Sequence, residues 1–332
     1  MAAAHRIAVR ISATPAERRD PVRGGGRPVP GSPSRRGRSP ARAVIAARDA
    51  LPFIALKGVV FGLFILAPFV YTFYLTFQSG SLLSGLHYAG LENYREIFRD
   101  TLFWTTLRNT GFFMVVLIPS TIVVTLLLGL LLSSQARGMG IYRTLIYLPS
   151  LLSVVATGVV WKVMIDPGTG PLDRLLHGLF GVRVPWLTSG TFTILFLCIV
   201  SLWASAGFYS LIFMSGFNEI PDELLEAARI DGANALQVLW LIKLPMIRPV
   251  MQLVLVLVTV NAVQVFDLVY VLTQGGPGTS TYTAMWYVYQ NAFNGGSVAY
   301  AATMSVILLI ITAAIAVAFV ARRGKGGVAD RV

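Results

Sequence analysis

Asn261, Gln264 and Asp267 are set three residues apart in an otherwise apolar stretch. At about 100° per residue they fall within one helical face. Two amides and a carboxylate are groups that hydrogen-bond to hydroxyl-rich solutes. A charged side chain near a bilayer centre costs roughly 2.5–3.5 kcal/mol on insertion scales, so it faces protein interior or water. The patch is therefore either a polar surface on a passage or a hydrogen-bond cluster between helices. Trp203, Tyr209, Phe266 and Tyr270 offer ring faces on which a sugar could stack. The same residue types also serve as ordinary packing and interface anchors in membranes.

No constellation for covalent or hydrolytic chemistry accompanies these residues. The sequence has no GxxxxGK[ST] segment, so it lacks the P-loop that cradles nucleotide phosphates. It has no Ser-His-Asp set and no paired carboxylates in a plausible pocket. Cys198 is the sole cysteine, which excludes a disulfide within the chain and any Cys/His metal cluster. His5, His87 and His177 are scattered, and no nucleic-acid-binding motif is present.

A second set of residues lies in a polar island, PDELLEAARIDGANALQVLWLIKLP, from Pro221 to Pro245. Pro221 suits a first helical position, and Asp222 and Glu223 suit the positive end of the helix dipole. Leu224, Leu225 and Ala228 share a face with Pro221 at helical spacing. Asp231 is placed to end this helix and cap the next, and Gly232 permits the sharp turn. The second helix is expected from Asn234 to Lys243, with Pro245 forcing the break. Ala227 and Ala228 leave room for a partner. Glu226 and Arg229 are placed to form salt links within the island or across an interface.

The surrounding elements follow from composition. The 332 residues are 55% hydrophobic and only 13% charged, with a mean hydropathy of +0.69. Soluble domains carry about twice that charged fraction, so this is a membrane protein. Apolar segments at about 58–77, 110–133, 146–165, 192–216, 249–273 and 299–321 are each near the roughly 20 residues that cross the hydrocarbon core. Helices are the expected spanning form. Ser201, Ser205 and Ser210 are expected to face other helices, where small hydroxyl residues allow close packing. Of the net charge of +12, residues 1–50 contribute +8, from eleven arginines against Glu17, Asp20 and Asp49. This Arg-, Pro-, Gly- and Ser-rich segment reads as a disordered basic tail, not a signal peptide. With the N-terminus inside, 21 Lys and Arg lie on the cytoplasmic side and six outside. The positive-inside rule thus puts both termini and the island at 217–248 in the cytoplasm.

Glu226-Ala227-Ala228, then Asp231-Gly232-Ala233, Ile242 and Leu244-Pro245, resemble the EAA loop of ABC importer membrane subunits. The lead-in Ile220 to Leu224 matches as well. So do Gly90 to Tyr94, Tyr142-Arg143-Thr144 with Pro149, Phe266-Asp267-Leu268 and Thr273 to Pro277. Over residues 53–321 the chain is similar to the first membrane subunit of maltose and glycerol-phosphate importers. Leu239 departs from the family, which often has Phe there. The resemblance implies an all-α, six-span, type I permease domain over 51–325, with a short cytoplasmic tail at 326–332. It implies that Glu226, Ala227, Ala228, Arg229, Asp231, Gly232, Ala233, Leu239 and Pro245 form a coupling helix docked on a cytoplasmic ATPase. It further implies a second permease that is a distinct paralogue, an ATPase dimer holding ATP and Mg, and an extracytoplasmic solute-binding protein. No cofactor is expected on this chain. The location implied is a bacterial plasma membrane, with lipids but no nucleic acid as partners. The cargo implied is a sugar, oligosaccharide, polyol or sugar phosphate. An importer of another solute, an ATP-independent secondary transporter and a membrane scaffold are the competing readings.

Overall fold

The computed structural model describes residues 55–81, 85–134 and 136–321. The expected tails at 1–50 and 326–332 lie outside the described residues. The chain divides into two units, Met1–Phe61 and Gly62–Val332. Only residues 55–61 of the first are described, and the packing below is that of the second.

Helices dominate. Among the described residues four are long and apolar enough to cross a membrane: α1 (Ala55–Leu75), α3 (Thr101–Leu132), α7 (Gly190–Asn218) and α12 (Val298–Phe319). Two bent pairs also qualify. In one, α4 (Met139–Tyr147) runs through a tight turn at Leu148–Leu151 and meets α5 (Val154–Met164) at 95°. Pro149 removes a backbone donor there, and Ser153 restarts the helix by accepting the Ala156 N–H at 3.1 Å. In the other, Ala235–Met246 meets Arg248–Val263 at 68°. By length and composition the described residues offer four crossings, or up to six if each bent pair is one span, which is consistent with the six expected.

The expected fifth span, 249–273, is not one helix. Arg248–Val263 has 16 residues, about 24 Å, short of a roughly 30 Å hydrocarbon core. A break follows at 264–266, and a π-turn at Val269–Thr273 carries the chain onward. A short antiparallel hairpin, β1 (Gln78–Ser81) with β2 (Gly85–Tyr88), was also not expected. It abuts α2 (Glu92–Arg99), where buried Asn93 donates to Thr76 O and Gln78 O at 2.9 and 2.6 Å.

The core lies along α3 and α7. Phe113 and Leu117 pack with Phe196, Leu197, Val200 and Leu272. A second cluster joins Tyr209, Phe213, Phe217, Ile247, Val254 and Val258. On the buried face of α3, Thr110 donates to Thr106 O and Thr125 to Thr121 O, while the Thr121 hydroxyl has no partner among the described residues. Small hydroxyl side chains let the helices approach closely.

Asp100 ties together the hairpin end of the molecule. One carboxylate oxygen accepts from Leu102 N (2.9 Å) and Phe103 N (3.1 Å), capping α3. The other accepts from Tyr287 Oη (2.7 Å) and Tyr300 Oη (2.8 Å). Burial pushes this carboxyl up, but the bonds from Tyr287, Tyr300, Phe103 and Leu102 outweigh it and hold it below its ordinary value. Burial and the adjacent carboxylate push the Tyr287 phenol up to about 12. A carboxyl depressed by folding stabilises above its unfolded pKa, and the contribution is lost as pH falls through the folded one. Asp100→Asn is therefore expected to lower Tm at pH 7. The gap to wild type should begin to narrow below about pH 4 and shrink further as pH falls, and a gap of constant size in thermal melts from pH 7 down to acid unfolding would refute this.

Candidate functional site

The polar island folds as two helices. Asp222–Ile230 (α8) starts with Asp222 and Glu223 in its first turn and carries Arg229 in its last, matching the dipole. Pro221 is the N-cap and not the first helical residue. The turn is a Schellman motif. Gly232 has φ +81, its N–H donates to Arg229 O at 3.1 Å, and Ala233 N donates to Ala228 O at 2.9 Å.

Asp231 does not cap the next helix. Its backbone continues α8 as C-cap, with its N–H donating to Ala227 O. Asn234 takes that role in a capping box: its side chain accepts from Gln237 N at 2.9 Å, and its own N–H donates to Gln237 Oε1 at 2.8 Å. The second helix (α9, Ala235–Met246) also runs through Pro245. A π-turn at Leu239–Lys243 precedes the proline, and Leu244 N–H reaches back to Leu239 O. The wider turn relieves the clash a proline makes with the carbonyl four residues earlier, so the break falls at Ile247.

Ala228 and Val238 turn inward and are buried, with Leu225 half-buried. Ala227, Glu226, Arg229, Asp231 and Leu224 are exposed, so the two alanines point to different surroundings. Glu226 and Arg229 form no ion pair among the described residues. The tip is strongly apolar: Ile230 is 86% exposed, Leu236 65%, Trp240 63% and Leu241 72%. Leu239 lines a cleft of about 510 Å³ with Leu130, Leu225, Arg229 and Ala233.

The second feature is a cavity of about 420 Å³ near the middle of α7. Tyr209, Asn261, Gln264 and Asp267 all line it. A single helical face is not what gathers them, because the helix Arg248–Val263 (α10) ends before Gln264. The break turns Gln264 and Asp267 to the cavity, and Thr283 Oγ1 donates to the Val265 carbonyl at 3.0 Å. Irregular backbone at membrane depth is tolerated where it is buried in protein or lines a cavity. Asn261 Nδ2 donates to Tyr209 Oη at 2.7 Å, so part of the patch is interhelical bonding. Gln264 and Asp267 make no side-chain hydrogen bond among the described residues and are exposed to the cavity.

Ser150, Ser201 and Ser205 also line this cavity, although the last two were expected at helix contacts. Residues 201, 205 and 209 are spaced by four on α7, a stripe readable in the sequence. Ser210 alone of the three serines is fully buried. Trp203 does not line the cavity; it packs edge-on against Trp161, centroids 5.6 Å apart. Tyr270 is also outside it, 5.6 Å from Phe266, which is a lining residue.

Known proteins resemble this chain in sequence and in fold. Residues 121–325 match the family described as "Binding-protein-dependent transport system inner membrane component". A probable ABC transporter permease of Pyrococcus horikoshii is 31% identical over 283 residues, 83% of this chain and 97% of that protein. The lactose transport system permease LacF of Rhizobium radiobacter is 30% identical over 266 residues, 79% of this chain and 89% of that one. A chain from the crystal structure of a bacterial ABC transporter involved in the import of the acidic polysaccharide alginate has a TM-score of 0.76 at 20% identity. That match covers 86% of this chain and 99% of the other, and it establishes a common fold. The exposed hairpin, the cavity at a broken helix and these matches together place the chain in the family of binding-protein-dependent transport system inner membrane components.

Proposed function

We propose that this chain is a permease subunit of an ATP-driven, binding-protein-dependent importer of sugars, and that the hairpin at 222–246 is its handle for a partner ATPase. One observation carries the reading. A single hydrophobic cluster contains Tyr209 and Val258, which line the cavity, and Leu225 and Leu244, which belong to the hairpin. Close-packed interiors transmit displacement because they do not deform continuously. Movement of the hairpin therefore reaches the cavity wall. The exposed apolar tip suits a groove on another protein, since patches of this kind mark interaction sites.

The sugar class is supported by the lactose permease of Rhizobium radiobacter and by the trehalose/maltose permease of Thermococcus litoralis, 28% identical over 249 residues. In the cavity, Gln264 and Asp267 would bond to solute hydroxyls, while the Asn261–Tyr209 pair would hold the wall. The partners are a second permease, an ATPase pair and an extracytoplasmic binding protein. ATP and Mg, held by the ATPase, supply the driving force. The basic excess puts both termini and the hairpin in the cytoplasm, and β1–β2 on the outer side.

Gln264→Ala and Asp267→Asn are each expected to reduce sugar uptake by the reconstituted importer about tenfold. An uncompensated hydroxyl–amide or hydroxyl–carboxylate loss of roughly 1–3 kcal/mol corresponds to a change of that order. Uptake within twofold of wild type in both variants would remove the cavity from the route.

A further inference from the structure

The residues between the helix break and the outer surface hold a set of rings that the cavity does not absorb. Thr283 bonds to Val265 at the break, so the helix Ala284–Tyr289 (α11) starts level with the cavity. It continues as a π-turn, Gln290–Asn294, to the glycines that precede α12. At its far end Tyr287 and Asn291 share a polar cleft with Ser79 and Ser81 of β1. The segment thus leads from cavity depth to the end of the molecule that carries β1–β2.

Three rings cluster at its cavity end and a fourth extends the cluster outward. Phe266, in the cavity wall, lies 5.6 Å from Tyr270 and 5.0 Å from Tyr289. Tyr270 and Tyr289 are 5.6 Å apart, and Phe293 follows at 5.1 Å from Tyr289. Tyr270 and Phe293 are exposed, and Phe266 and Tyr289 are half-buried. Buried Trp286 backs the row, stacked on Phe266 and Tyr289 with interplanar angles of 27° and 24°. That support holds the exposed rings in place before any ligand arrives.

We propose that Phe266, Tyr270, Tyr289 and Phe293 form a stacking strip for pyranose rings, leading from the outer surface to the cavity. The idea rests on the cavity being the solute's passage. A pyranose has an apolar C–H face and a rim of hydroxyls. The face buries apolar area on an aromatic ring, which combines large contact area with few rotatable bonds. The rim needs polar neighbours, and Gln290 and Asn294 follow Tyr289 and Phe293 by one residue each, their amides bonded at 2.6 Å. Such amides beside the rings disfavour a lipid-facing role, because polar groups in hydrocarbon are costly. The 5.1 Å step from Phe293 to Tyr289 lets a sugar ring leave the outer contact as it gains the three-ring cluster beside the cavity.

The test uses the whole importer, with its ATPase, second permease and binding protein, in proteoliposomes. The probes are ¹⁴C-labelled maltose, lactose, trehalose and malto-oligosaccharides. Tyr289→Leu and Phe293→Leu keep apolar bulk and remove the ring. Each is expected to lower the maximal uptake rate five- to tenfold, and Tyr289→Phe is expected to restore it to within twofold. Unchanged uptake in both leucine variants would overturn the strip. So would loss of the second permease from the purified leucine complexes, which would make the row a subunit interface. A wild-type complex that carries none of these sugars would overturn the pyranose assignment. If Gln264→Ala and Asp267→Asn impair uptake but the leucine variants do not, the strip fails while the cavity reading stands. If none of the four variants impairs uptake, both fail.

Discussion

Gly207→Val is expected to leave almost no correctly assembled protein. A Cβ at this position would sit 2.3 Å from Ile146 O and 2.6 Å from Tyr147 Cα. Both are backbone atoms, so no side chain can swing away. The helices α4 and α7 would have to separate. Overpacking costs typically 1–3 kcal/mol where neighbours can yield, and a clash with two backbone groups belongs at or above the top of that range. The close approach also reaches the cavity wall. One residue along, Phe208 N donates to Ser150 Oγ at 3.2 Å, and Ser150 lines the cavity. Fluorescence-detected size exclusion should show an aggregated profile for Gly207→Val and a lowered Tm for Gly207→Ala. A valine variant with the elution volume and Tm of wild type would refute the packing argument.

Gly232 should behave differently. Nothing lies within 4 Å of a Cβ built there, so space is free and only the backbone resists. At φ +81 a β-branched residue is strained, by roughly 1–2 kcal/mol or more. That is too little to unfold the protein, but it acts on the one turn that sets the angle between α8 and α9. The Ala233–Ala228 and Gly232–Arg229 bonds both depend on it. If the hairpin is the ATPase handle, Gly232→Val should leave the protein folded and reduce transport-coupled ATP hydrolysis at least tenfold. Gly232→Asn should retain about half, because Asn tolerates the left-handed region far better. Equal activities for the Val and Asn variants would show that this turn does not govern coupling. Co-purification of the ATPase with each variant separates weakened docking from a docked but misdirected hairpin.

Much of the site was legible in the residues. The Asp-Gly-Ala turn, the acidic first turn of α8 and the separate second helix follow from local rules, because capping and dipole effects act within a few residues. Local rules also erred where two solutions compete. Asp231 and Asn234 are both good caps, and the choice depends on where the chain leaves the left-handed glycine. Pro245 normally ends a helix, but the π-turn just before it removes the steric reason to stop. The polar triad was found for an incomplete reason. Three-residue spacing fits a helical face, while the structure brings Asn261, Gln264 and Asp267 together across a break. Trp203 lies apart from the triad: its residue type suits stacking, but it sits outside the cavity in an edge-on pair with Trp161.

The sequence by itself determined the environment, the helical class and the existence of an organised polar hairpin. These depend on composition and on interactions within a few residues. Tertiary structure alone decided which polar groups share a cavity, and that Ser150, Ser201 and Ser205 join them. It also decided that one packed cluster connects cavity to hairpin, and that Tyr289 and Phe293 line up with Phe266 and Tyr270. Those relations link residues far apart in the chain. They are set by backbone approach, as at Gly207, and by a helix break whose carbonyl is satisfied by Thr283, and neither is encoded in local periodicity.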